Sequence, residues 1–250
     1  MKKIYLDKKE FRYSNIEDLK EELEKRSIAI GDKTTIGDGT FLGKNIAIGN
    51  NVSIGSYCGI GNNTILQTNS KIGSRSSVGN NCIISTNASI GYRSFIGNNS
   101  SILSNAQIKN RCTIGNNSIV GNASIIGSNT FTRNNTSIGN NVVIGNDVSL
   151  NYGVSIRDQA FICNGSTIGD YSSVKEKVKL YKNIYIVGSL GPASAITYVG
   201  NDMVSVGCRL FTLEELTKAL PEICRAEGLT EDQVNEYNEY LLIIKKFSKL

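Results

Sequence analysis

The chain has 250 residues, 27 Lys and Arg against 22 Asp and Glu, and neither His nor Trp. Few aromatics, with abundant Gly, Asn, Ser and Ile, make a poor mixture for an ordinary globular core and a good one for a stacked coil that turns a corner every few residues. A net charge of +5 suits solubility and a mild preference for anions and gives no ground for nucleic-acid binding.

The opening Met1-Lys2-Lys3 is followed by Ile4-Tyr5-Leu6 and then by charges, with no apolar run of the signal-peptide kind. No stretch approaches the ~20 apolar residues of a membrane span. The expected location is the cytoplasm, with no membrane partner. Residues 1–29 read as an N-terminal strand and helix cap. Ser14-Asn15-Ile16-Glu17 has the form of a capping box, and Ile16, Leu19 and Leu23 make a helical stripe that would cover the first coil.

From Ile30 every sixth residue is aliphatic: Ile30, Ile36, Leu42, Ile48 and so on through Leu180 and Ile186. Thr132 is the one exception in the series. Neither an amphipathic helix nor two-residue strand alternation produces that spacing. Two residues before each aliphatic position stands a small or β-branched side chain (Thr34, Thr40, Val52, Cys58, Ser76, Ala88, Ser94, Ala106), and Gly commonly follows it, then Asn-Asn. In a triangular coil the aliphatic and small residues fill the prism, while Gly and Asn take corners that need positive φ.

This repeat resembles the hexapeptide-repeat family of left-handed parallel β-helix proteins over residues 30–187. The resemblance implies three hexads per coil, hence about nine triangular coils in a prism roughly 40 Å long. It implies an all-β fold whose copies assemble as a homotrimer. Most members are acyltransferases that hold coenzyme A between subunits and use a His as general base. No position here can carry that His, and the three-His metal site of the γ-class carbonic anhydrases, on the same fold, is excluded for the same reason. The register never slips, so no catalytic loop interrupts the coils. Between Gly39 and Asn146 there is also no Asp and no Glu. General acid–base chemistry there would fall to Lys, Cys or Tyr. Asp32, Asp38, Asp147, Asp158 and Asp170 lie toward the prism ends.

Residues 188–250 read as a C-terminal β and helical cap. The turn Gly188-Ser189-Leu190-Gly191-Pro192 ends the repeat, and a β segment follows from Ile196 to Gly207. One helix is capped by Thr212 with Glu215, is expected to break or kink at Pro221, and ends at Gly228; a second is capped by Thr230 with Gln233. Gly207-Cys208, Thr212-Leu213-Glu214-Glu215 and the later Tyr237, Tyr240 and Leu241 resemble a module of uncharacterised phage-encoded proteins, although Gly191-Pro192-Ala193-Ser194 lacks that module's Arg. The resemblance implies a phage origin, with the host cytoplasm as location, and brings no activity.

Residues eighteen apart stack in a three-sided coil, so Gly39, Tyr57, Arg75, Arg93, Arg111, Asn129 and Asp147 form one corner column. Three arginines on adjacent rungs, with Tyr57 below them and Tyr92 beside Arg93, have no local carboxylate to balance them, and guanidinium suits phosphate or carboxylate. Lys71 and Lys109 are near in sequence. These arginines and tyrosines are the candidate ligand-binding residues; the competing reading is a solvated basic edge. Ala47, Ile65, Ile83, Ser101 and Ile119 form a column on one face, whose three isoleucines are the expected trimer contact. Phe41, Phe95 and Phe131 make a sparser column that would lie under the terminal helices or pad a ligand cleft. The Asn column from Asn45 to Asn135 reads as an amide ladder, and Cys58, Cys82 and Cys112 as buried inert thiols. Cysteine spacing gives no metal site.

The combined expectation is a trimer that binds a small anionic ligand, a nucleotide or other phosphate compound, in clefts between subunits, without a resident cofactor and without classical acyl transfer; sequestration is a use that a phage origin would suggest. The alternatives are a coenzyme A-dependent acyltransferase with a non-His base and a structural or interaction scaffold.

Overall fold

The computed structural model describes residues 1–180, 185–186, 196–200, 203–206, 209–226 and 228–248. The turn from Gly188 to Ser194, the Gly207-Cys208 pair and the proposed boundary at 187/188 lie outside the described residues.

Short strands, of two residues except for Thr40–Leu42 and Ile46–Ile48, recur once per hexad from Thr35–Ile36 to Tyr185–Ile186. Each pairs in parallel with the strand eighteen residues on, as in Lys71↔Ser89 and Ile72↔Ile90, and the strands sort into three sheets. Two sheets have nine strands; the third has fourteen because both termini extend it. Ile30, Ile48 and Leu66 begin the inward row of the first face, Ile36, Ile54 and Ile72 that of the second, and Leu42, Ile60 and Val78 that of the third. The inward residues form one continuous core.

Several of the small inward residues are hydrogen-bonded as well as packed. The hydroxyls of Thr64, Ser76 and Ser100 donate to the carbonyls of Gly79, Gly91 and Gly115 in the next coil at 2.8–2.9 Å. The thiols of Cys58, Cys82 and Cys112 make the equivalent bonds to Gly73, Gly97 and Gly127 at 2.9–3.2 Å. These positions accept a small donor as readily as the apolar Val52, Ala88 and Ala106, and the three cysteines are buried there. Thr132 breaks the aliphatic row without leaving a polar orphan: its hydroxyl accepts the Gly115 amide at 3.2 Å, and the usual pairing of Ile114 with the residue above is lost there.

Corner chemistry differs from expectation in one respect. Positive φ belongs to the last corner residue, most often Asn, and not to the Gly that follows the strand. Where Gly stands there the next coil passes close: a Cβ at Gly121 would sit 2.2 Å from the Gly139 carbonyl oxygen, and one at Gly37 2.3 Å from the Ser56 amide nitrogen, whereas other hexads carry Gln67, Ser85 or Leu103 at that position.

At the N-terminus, a hairpin (Lys2–Leu6 and Lys9–Tyr13) adds to the third sheet through Ile4↔Thr40 and Leu6↔Leu42. A 3-10 turn (Ile16–Leu19) and the short helix α1 (Lys20–Glu24) follow, and Leu19 and Leu23 pack into the core. The capping box lies one residue later than the sequence suggested. Asn15 is the cap, and Asp18 accepts its backbone amide at 3.0 Å, because Asp18, not Glu17, closes back on that turn.

At the other end the expected single β segment is three antiparallel strands (Ile196–Gly200, Met203–Val206, Arg209–Thr212) joined to the third sheet by Ile186↔Thr197. Helix α2 (Leu213–Ala226) is capped by Thr212 and Glu215, and α3 (Glu231–Ser248) by Thr230 and Gln233. Pro221 does not break α2. Leu216, Leu220 and Cys224, on both sides of it, are buried in one cluster with Tyr237, Leu241 and Ile244 of α3, and that packing offsets the missing hydrogen bond. Gly228, at φ +65°, follows the helix as expected. No helix among the described residues is long and apolar enough to cross a membrane.

Candidate functional site

The arginine column is real geometry. Backbone bonds from Arg75 to Ser56, Arg93 to Ser74 and Arg111 to Tyr92, at 2.8–3.1 Å, stack the three residues on consecutive coils at the corner between the second and third faces. All three side chains are exposed, as is that of Tyr57 directly below. Each of the four takes the left-handed backbone, with φ between +54° and +59°. A side chain with a Cβ is disfavoured there by roughly 1–2 kcal/mol per residue, and Asn, the usual occupant of these corners, tolerates it better.

Among the described residues none of the three arginines makes an ion pair. The Arg93 guanidinium lies 5.1 Å from the centroid of the Tyr92 ring, so Tyr92 holds one member of the column by a cation–π contact. Tyr57 lies over Gly39: a Cβ at Gly39 would fall 2.6 Å from the tyrosine ring. Lys71 lines a shallow groove of about 440 Å³ with Asn69, Asn87, Ser89 and Gln107 on the second face, while Lys109 donates to Gln107 at 2.8 Å.

The carboxylates at the prism ends have structural work. Asp38 accepts the Lys3 amide at 2.7 Å, Asp158 the Asn140 amide and Asp170 the Tyr152 amide at 2.8 Å, and Asp147 the Asn129 side chain at 3.0 Å. Burial pushes the thiols of Cys58, Cys82 and Cys112 up, away from the reactive thiolate. Cys163 is half-buried beside Ser166, and Cys224 is buried in the α2–α3 cluster. Among the described residues no three His, Cys, Asp or Glu side chains converge as metal ligands would.

The isoleucine column stands in line on the first face through Ala47↔Ile65, Ile65↔Ile83 and Ser101↔Ile119, each isoleucine 38–47 % exposed. Phe41, Phe95 and Phe131 stand on the third face at 36–46 % exposure. The described helices therefore do not cover them, which corrects one of the two sequence expectations. The Asn ladder is present: Asn45, Asn63, Asn81, Asn99 and Asn117 are joined amide to amide at 3.0–3.1 Å, with Asn135 continuing the corner column. A groove of about 550 Å³ beside this ladder, lined by Phe41, Lys44, Asn62 and Asn80 with Asp7 and Lys8, was not foreseen; the N-terminal hairpin turn that forms it has no repeat signature.

A family model described as the hexapeptide repeat of succinyl-transferase matches residues 33–68, and one described as the GMPPB C-terminal domain matches residues 63–155. Among curated proteins, none matches the sequence. Among solved structures the chain is similar to the UDP-N-acetylglucosamine acyltransferase of Campylobacter jejuni, with a TM-score of 0.60 at 19% identity over 85% of this chain and 78% of that one. It is similar also to the UDP-N-acetylglucosamine acyltransferase of Francisella novicida, with a TM-score of 0.59 at 20% identity over 85% and 74%. At such identities the likeness is one of fold. The chain is a hexapeptide-repeat protein with the acyltransferase-like left-handed parallel β-helix fold.

Proposed function

We propose that the protein is a homotrimer that binds a small anionic molecule, a nucleotide or other phosphate compound, in clefts between its subunits, and that Arg75, Arg93 and Arg111 hold the anion with Tyr57 and Tyr92 beside them. The observation that carries this reading is the column itself. Three exposed guanidinium groups stand on successive coils, at a strained corner position, in a stretch from Thr40 to Asn146 that has seven cations and no carboxylate. Adjacent guanidinium groups ~4.8 Å apart repel by about 1 kcal/mol per pair in water. A bound phosphate group relieves that repulsion and accepts their paired hydrogen bonds. Ile65, Ile83 and Ile119 form the contact between copies. The two solved relatives are named for a nucleotide-sugar substrate, a phosphate compound of the same chemical class. Capture without turnover, as in sequestration, needs no general base.

A second reading is coenzyme A-dependent acyl transfer with a base outside the middle coils. It is favoured by the fold likeness to two acyltransferases over 85% of the chain. Native mass spectrometry of the protein purified from cells, followed by denaturation, tests the first reading: a trimer that releases a phosphorylated compound is expected. A thermal-shift series with UDP-N-acetylglucosamine, ADP and coenzyme A should then show stabilisation that the Arg75→Gln, Arg93→Gln, Arg111→Gln triple variant loses. Unchanged binding by that variant removes the site, and turnover of acetyl-coenzyme A would move the assignment to the second reading.

A further inference from the structure

The corner between the third and first faces is built mainly of Asn, and it changes character at one place. Asn62, Asn80, Asn98, Asn116 and Asn134 each accept, at 2.7–2.9 Å, the backbone amide of the residue eighteen positions earlier. The next member of that column is Tyr152, whose hydroxyl instead meets the Asn135 side-chain amide. Asp170 restores the pattern one coil higher, where its Oδ1 accepts the Tyr152 amide at 2.8 Å. In the neighbouring ladder column, Asn135 is followed by Gly153 and then by Tyr171, which takes the left-handed backbone at φ +55°. Both tyrosines therefore stand where the fold itself favours Asn.

The two rings stand at a steep angle. Their centroids are 5.3 Å apart and their planes cross at 70°, with Tyr152 36 % and Tyr171 68 % exposed. Tyr171 lies against Gly153, where a Cβ would fall 2.7 Å from the ring, so the ring is held on the coil below. Tyr57 covers Gly39 in the same way with no second ring paired to it among the described residues, so covering a corner glycine does not account for Tyr152. The Asp170 carboxylate is anchored beside the rings by one oxygen. Its Oδ2 accepts no hydrogen bond and makes no ion pair among the described residues. The cation–π contacts of the described residues are at Phe11 and Tyr92, so neither of these two rings is taken by a cation of the chain.

We infer that Tyr152, Tyr171 and Asp170 form a binding site for a small soluble molecule that carries a quaternary ammonium group. Aromatic faces attract a cation through their quadrupole, and two faces at a steep angle hold it from two sides. A trimethylammonium group has no N–H, so it forgoes no donated hydrogen bond when it settles on ring faces. Its charge is balanced by the free Asp170 oxygen, and its methyl groups cover apolar ring surface. A primary ammonium or a guanidinium fits less well, because one free carboxylate oxygen cannot satisfy three or five donors. With two walls and an open outer side the site suits a compact cation held weakly, in the millimolar range. All three side chains belong to one chain, on a different corner from Arg75, Arg93 and Arg111, so the site is independent of the anion site proposed above.

Saturation-transfer difference NMR of the full-length protein with choline chloride, and with dimethylbutanol as its uncharged isostere, tests the site. The choline methyl signals are expected to be saturated at least about fivefold more strongly than those of the isostere. The Tyr152→Asn, Tyr171→Asn double variant returns both positions to the residue of their columns, so it should melt no lower than the parent while losing the choline signal. Asp170→Asn keeps an acceptor for the Tyr152 amide and should weaken binding several-fold. Arg133→Gln removes a positive charge from the coil below Tyr152 and should strengthen it. Equal signals from choline and dimethylbutanol would overturn the site, as would no choline signal at all or an undiminished one in the double variant. A double variant that melts well below the parent would mean that the tyrosines serve the fold, and binding to phosphatidylcholine vesicles without binding of free choline would overturn the small-molecule assignment.

Discussion

Arg93 and Asn99 stand one corner apart with the same left-handed backbone, φ +54° and +56°, but only Asn99 is tied into its column. It accepts from Asn81 at 3.0 Å and donates to Asn117 at 3.1 Å, whereas Arg93 has the ring of Tyr92 and no ion pair. On the proposed function, stability and binding pull in opposite directions at the arginine corner. Arg93→Asn is expected to raise the unfolding free energy by roughly 1 kcal/mol, since Asn tolerates this backbone, while weakening anion binding. Calorimetric melting and phosphate-compound titration of the one variant check both halves; a lower melting temperature would mean the arginine is there for the fold.

The inward thiols are expected to behave as structural donors. Cys82→Ser should stay within about 1 kcal/mol of the parent, because Ser100 fills the same role on the coil above. Cys82→Val leaves the Gly97 carbonyl without its thiol donor and should cost about 1–3 kcal/mol. Urea unfolding of the pair separates the outcomes. With the thiol pushed up by burial, iodoacetamide at pH 8 should modify Cys82 only as the chain unfolds.

Glycine substitutions should divide by position. Gly121→Ala forces a Cβ to 2.2 Å from the Gly139 carbonyl oxygen and is expected to destabilise by at least about 1–3 kcal/mol. Gly59→Ala meets nothing nearer than the Ser77 hydroxyl at 3.3 Å, so the isolated chain should tolerate it. If melting temperatures of the two fall together, the coils are not stacked as described.

The coil was legible in the sequence because each hexad repeats one physical requirement, and a period of six over the whole prism admits no competing fold. The corner arginines were legible too, as departures from Asn in an otherwise regular column. The role of the corner glycines was not, since a clash with the next coil depends on a backbone eighteen residues away. Pro221 was misleading for a related reason: local propensity disfavours a helix there, but burial of Leu216, Leu220 and Cys224 decides it. For the proposed anion site the sequence shows the arginines and nothing of what would face them.

At the C-terminal cap, the Glu215 carboxylate accepts the Thr212 amide at 2.7 Å, and that backbone bond holds its pKa below the usual carboxylate value of 4.5, with the Thr212 side chain adding to it. A folded-state pKa below the unfolded one contributes stability that is present above the unfolded value and lost as pH falls through the folded one. The start of α2 should therefore be intact at neutral pH and loosen as pH falls below the usual carboxylate value of 4.5. Glu215→Gln keeps the acceptor without the charge and should flatten this acid limb while leaving helicity at pH 7 little changed. Far-ultraviolet circular dichroism of parent and variant between pH 7 and pH 3 reads the difference. Superimposable acid titrations would show that the cap works as a neutral hydrogen bond and that its charge contributes nothing.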